Sequence, residues 1–156
     1  MLEKELRYAI EDYQEAHPEF GDLYHLLHDV RDVIVERAFD KDNTVEDYPL
    51  ISLEANPTSR QAGTWRAKFQ EVGPLGFKNV VSLNLMGFRH GAEIPESLAH
   101  ELCHWFDRPN TGHTDSFWWH MKSRVGIDRN GMKNMAWVRL EEFFPMEDLS
   151  AIALNP

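Results

Sequence analysis

The sequence predicts a single α+β domain, with helices in its N-terminal part, a small, mainly antiparallel sheet, and further helices beyond. Three observations carry that reading. Apolar residues recur at three- and four-residue spacing from Leu23 to Ala38 and again at Leu98, Leu102 and Trp105. Short apolar runs between Leu50 and Leu85 have the length of strands, and turn-forming Asn, Pro and Gly separate them. At 156 residues the chain has the size of one domain, able to bury roughly 68–70% of its unfolded surface.

Residues 2–16 read as a first helix, ended around His17-Pro18, because Pro lacks the amide that a helix interior needs. Leu23, Leu26, Leu27, Val30, Val33, Ile34 and Ala38 form the apolar stripe of a second helix, and Asp40-Lys41-Asp42-Asn43 is a polar connection. Residues 50–55 look like a strand, followed by a turn at Asn56-Pro57-Thr58-Ser59. Residues 64–72 approximate apolar/polar alternation, the pattern of a half-exposed strand. Gly73-Pro74-Leu75-Gly76 marks a turn, and residues 80–85 read as a third strand. Pro95 and Glu96 suit the first turn of a helix, Leu98, Leu102 and Trp105 supply its apolar spacing, and Arg108-Pro109-Asn110 ends it. Residues 113–125 form another helical run, and a polar loop around Asp128-Arg129-Asn130-Gly131 leads into the C-terminal helices.

Composition excludes several classes of function. No apolar run approaches the roughly 20 residues that span a bilayer, and the alternating charges of the first seven residues do not form a secretory segment. One cysteine excludes an intramolecular disulfide and a cysteine-based zinc ribbon, so a cytoplasmic protein is the simplest expectation. A net charge of −10 opposes a strong non-specific grip on nucleic acid, which depends on Lys and Arg neutralising phosphates. Arg60, Arg66, Lys68, Lys78, Arg124, Arg129 and Lys133 form a basic patch only if the fold gathers them; scattered solvated charges are the expectation.

The chemistry-bearing feature is His100-Glu101-Leu102-Cys103-His104, an H-E-x-x-H motif on the expected helix. Four helical residues advance about 400°, so both imidazoles project from one face and can grip Zn²⁺ at roughly 2.0–2.1 Å. Glu101 stands beside the first ligand, where it can hold a water and take its proton. A catalytic zinc usually has three protein ligands and one open position. His113 leads as the third, because the chain must leave the motif helix through Arg108-Pro109-Asn110-Thr111-Gly112 and swing back before Thr114 or Asp115 caps the next helix. Asp107, Glu141 and Glu142 are rival donors, although helix geometry carries Asp107 away from an ion held by both histidines. Asp115 reads either as an acceptor for the other ring nitrogen of His113 or as a helix cap. The spacing after His104 is longer than in H-E-x-x-H-x-x-G-x-x-H.

His100-Glu101-Leu102-Cys103-His104, followed by Gly112-His113-Thr114-Asp115-Ser116-Phe117-Trp118, Met121 and Val125-Gly126, resembles the SprT-like (Spartan-type) metalloprotease domain family. That family pairs H-E-x-x-H with a later H-G-x-x-F/W segment, and the likeness covers residues 64–127 of a single domain spanning 1–156. The resemblance implies a zincin-like fold, zinc held by His100, His104 and His113, Glu101 as catalytic base, and a protein or peptide substrate. Thr114 stands where the family often has Gly, and the cysteine-rich ribbon of many members is absent. The family's link to proteins crosslinked to DNA implies a DNA-associated repair protease as one alternative. A non-catalytic zincin-fold binding or regulatory protein is another, favoured if Asp107 or Glu141 closes the fourth position.

Other residues carry blander expectations. Cys103 faces away from the metal into the core. His25 and His28 are solvated or partly buried, His90 is a candidate for the cleft, and His120 is a packing or surface residue. Trp118 and Trp119 cannot both face the core, so one is a candidate to flank a substrate groove. The outer edge of the strand over residues 80–85 is the expected place for an extended substrate to add.

Overall fold

The computed structural model describes residues 22–40, 48–54, 66–73 and 76–154. The expected helix over residues 2–16, Lys41 to Asn43 of the polar connection, the turn at Asn56-Pro57-Thr58-Ser59, the strand start at Thr64 and Trp65, and Arg60 lie outside the described residues, as do Pro74 and Leu75.

Helix α1 (Leu23–Val33) turns Leu23, Leu27 and Val30 into the core, one face of a 3.6-residue period. A wider helical turn over Ile34–Ala38 continues it and keeps Ile34, Val35 and Ala38 buried as well. Arg31 is also buried. Its charge is met by Asp32 at 2.9 Å, and it donates to the Pro49 carbonyl at 3.2 Å.

Three strands, β1 (Leu50–Glu54), β2 (Ala67–Val72) and β3 (Lys78–Asn84), form a sheet in the order β1-β3-β2. β3 runs antiparallel to β2, from Ala67 opposite Leu83 to Val72 opposite Lys78. It runs parallel to β1, from Leu50 opposite Val80 to Glu54 opposite Asn84. The sheet is therefore mixed, not mainly antiparallel. The hairpin return places β3 beside β2, and β1 joins its far side pointing the same way.

A second expectation also changes. β3 is the central strand and has no open edge for a substrate. Val80 to Asn84 are buried in succession, the continuous pattern of a strand covered on both faces, whereas β2 is half-buried to exposed throughout. Among the described strands, the outer edge on that side of the sheet belongs to β2. Leu85 leaves β3 in a short 3₁₀ turn (Leu85–Gly87), where the Asn84 side chain accepts from the Met86 amide at 3.3 Å.

Helix α2 (Ile94–Phe106) carries the H-E-x-x-H motif and packs on β2, β3 and α1. Pro95 occupies its first turn, as expected. Ile94, Leu98, Ala99, Leu102, Cys103 and Trp105 are buried on its inner side. Burial pushes the Cys103 thiol up to about 12, and the group donates to the Phe117 carbonyl at 3.6 Å, in the core position expected of it.

Helix α3 (Asp115–His120) begins two residues after His113, because Thr114 is its cap and accepts from the Phe117 amide at 3.2 Å. It runs on through a wide turn (Met121–Val125) that Gly126 ends at φ 94°, where a Cβ would fall 2.2 Å from the Trp137 amide nitrogen. Helices α4 (Met135–Glu141) and α5 (Met146–Ser150) complete the described chain. One contiguous core joins α1, the sheet and α2 to the C-terminal helices. No described helix is long and apolar enough to cross a membrane.

Candidate metal centre

The two motif histidines come from one turn of α2, on the side opposite Leu98 and Leu102, and both are half-buried. The loop after α2 returns His113 to them. Ring centroids lie 5.0 Å apart for His100 and His104, 4.9 Å for His100 and His113, and 5.1 Å for His104 and His113, a nearly equilateral triangle. The Nε2 atoms of His100 and His113 stand 2.9 Å apart. Two nitrogens sharing a tetrahedral zinc would be separated by about 3.3 Å, so a small outward movement admits an ion. Among the described residues this is the group of metal-ligating side chains whose donor atoms all fall within 4.8 Å of one another.

Phe117 forms the floor beneath the triangle. It is fully buried, with ring centroids 4.3 Å from His104, 4.8 Å from His100 and 5.0 Å from His113. Burial, then the neighbouring His104 and His113, hold His100 down to about 4; burial and His113 also lower His104. Both rings are thus neutral near pH 7, the form that binds metals. Three imidazoles without a thiolate could hold a borderline divalent ion such as zinc, and three protein donors would leave room for water or substrate on it.

Glu101 points beside this group, 3.9 Å from His100 Nε2, and is buried. Burial raises its carboxyl to about 7, against a smaller lowering by a hydrogen bond from the Phe69 backbone of β2. That bond puts the edge strand against the prospective base. Two lobes of a cleft meet at Glu101. One, of about 480 Å³, is lined by Ala67, Ser97, His100, Trp118, Met121 and Arg129 among others. The other, of about 520 Å³, is lined by Lys68, Phe69, His104, Arg108, Gly112 and His113 among others. β2 contributes residues to both, so it runs along the whole cleft.

The rival donors lie elsewhere. Asp107, at the C-terminal end of α2, is buried and is not among the converging donors. It accepts from the Ser116 hydroxyl at 2.6 Å and the Thr114 hydroxyl at 3.3 Å, and stands 3.7 Å from His120 Nε2. Glu141 ends α4 with Glu142 just beyond it, and neither joins the metal-ligating group. Asp115 does not act as the expected acceptor for His113. It is fully exposed in the first turn of α3 and faces Arg129 at 3.8 Å.

Of the other aromatic and histidine side chains, Trp118 flanks the first lobe, 6.2 Å from His100 and 5.7 Å from His113, while Trp119 is 58% exposed. His90 faces Glu93 at 3.6 Å and lines neither lobe. His120 is packed edge-on against Phe106, His28 bonds to the Tyr24 carbonyl at 2.9 Å, and His25 is exposed. Four of the basic residues weighed as a patch face carboxylates: Arg66 with Glu93 at 2.9 Å, Arg124 with Asp40 at 3.9 Å, Arg129 with Asp115, and Lys133 with Glu96.

Sequence reasoning missed three parts of this arrangement. Phe117 had a signal, its place in the H-G-x-x-F/W-like segment, but no role. The loop over Asp128 and Arg129, which rims the first lobe, read as a mere connection. The hydroxyls converging on Asp107 left no sequence signature, because hydrogen-bond partners seven and nine residues away belong to no fixed spacing. No protein-family model, curated protein or solved structure matches this chain.

Proposed function

We propose that this protein is a zinc-dependent endopeptidase of the SprT-like, zincin-fold type, with His100, His104 and His113 as ligands and Glu101 as general base. The observation that carries the reading is the convergence of three imidazoles beside a buried carboxylate, in a cleft bordered by an edge strand. When bound, zinc supplies Lewis acidity toward a scissile carbonyl and toward water. Glu101 accepts a proton from the attacking water and delivers it to the departing amine. Its carboxyl, raised to about 7, suits transfer in both directions near neutral pH. The outer edge of β2 offers main-chain hydrogen bonds to an extended peptide laid across both lobes, with little demand on its sequence.

Neither Asp107, engaged by Thr114 and Ser116, nor Glu141 joins the three histidines, which favours catalysis over a closed four-ligand site. Two of the cleft-side cations, Arg66 and Arg129, face carboxylates, which argues against a continuous basic groove of the kind the DNA-associated alternative requires. Glu101→Gln should lower hydrolysis of an unfolded, dye-labelled protein by about 10²–10⁴-fold. Zinc content, measured by elemental mass spectrometry, should stay at the wild-type level. Proteolysis retained at the wild-type rate in that variant would sink the mechanism.

A further inference from the structure

We infer that Asp107 is the positioning residue of the third metal ligand, a latch that fixes His113 over the motif helix. The inference rests on the proposal that the three histidines hold zinc. His113 is exposed and comes from a loop, so nothing in helix geometry brings it to His100 and His104. The chain just beyond His113 is anchored. Asp107 is 6% exposed and takes the Ser116 hydroxyl at 2.6 Å and the Thr114 hydroxyl at 3.3 Å on its two oxygens. Thr114 is the next residue after His113, and the same hydroxyl accepts the Phe117 amide at 3.2 Å. A single relay thus runs from the backbone of α3, through Thr114, to the end of α2. It sets the start of α3, and with it both the loop that carries His113 and the Phe117 ring beneath the triangle.

The carboxylate suits the task because an ionised group accepts several bonds at once, and bonds to a charged acceptor are the stronger kind. Asp107 also lies three residues beyond His104, so the latch and the two helix-borne ligands share one rigid element. Its side chain is not among the three donors that converge. Its effect passes through His113, as an outer-shell residue acts on a ligand.

The test measures zinc affinity of the whole chain by competition with a chromophoric chelator, together with the visible spectrum of the cobalt(II)-loaded protein. Asp107→Ala should weaken zinc binding by about 10–100-fold and reduce the intensity of the cobalt bands as His113 withdraws. Asp107→Asn, whose amide oxygen still accepts one hydroxyl, should recover part of both. Adding Ser116→Ala to Asp107→Ala should cost little more, because the two act in one network. An Asp107→Ala protein with wild-type affinity and cobalt spectrum would overturn the inference. If that variant fails to fold, Thr114→Ala combined with Ser116→Ala decides the matter, and wild-type affinity there overturns it equally. Loss of zinc in His113→Ala with no effect of any latch variant would leave the metal site standing and remove the latch. A wild-type chain that takes up no zinc would remove both.

Discussion

The two halves of the candidate metal centre are built in opposite ways. His100 and His104 stand on a helix whose other side is the core, with Leu98, Ala99, Leu102 and Cys103 fully buried behind them. His113 is exposed on a loop, and the neighbouring chain is fixed by polar contacts at Asp107. One half is thus held by close packing, which is strong and insensitive to any single hydrogen bond. The other half depends on a few directional bonds, so small chemical changes there should alter the metal more than the fold.

Three substitutions press on that contrast. Leu102→Ala removes a fully buried side chain behind the motif histidines and should cost about 2–5 kcal/mol in urea unfolding. Zinc per folded molecule should stay at the wild-type level; an equally large loss of zinc affinity in the folded protein would break the contrast. Thr114→Ala removes the cap of α3 together with one latch bond, and should cost about 0.5–2 kcal/mol of stability. Chelator competition should find its zinc binding weaker than that of Leu102→Ala, despite the smaller loss of stability. Trp119→Ala, at an exposed position on the same helix as Phe117, should leave thermal unfolding within about 0.5 kcal/mol of wild type. A larger shift would mean that α3 is supported from its solvent side as well.

The same contrast explains what was legible in the sequence. The motif helix could be read nearly to its ends, because Pro95, the spacing of Leu98, Leu102 and Trp105, and the H-E-x-x-H interval are all local rules of helix geometry. His113 could be anticipated from its segment, but Asp107 could be weighed only as a ligand. Its actual partners are hydroxyls that the loop brings back from Thr114 and Ser116. In the sheet, three strands were recognisable and their order was not. The run Val80-Val81-Ser82-Leu83 read as a strand with an outer edge and is instead the central one, because pairing is decided by packing in three dimensions, beyond the reach of a period-two pattern. The substrate edge therefore moved from β3 to β2.

The mixed sheet bears also on how the chain reaches this form. β2 and β3 meet across a short connection, Val72 opposite Lys78, so their hairpin can close early and at low entropic cost. β1 reaches β3 only after the whole of β2 has intervened, Leu50 opposite Val80, and parallel partners of that kind close slowly. The wall of the cleft thus belongs to the part of the sheet with the most local contacts. The strand with the sequence-distant pairing, β1, lies on the far side of β3 from β2 and contributes nothing to the cleft wall.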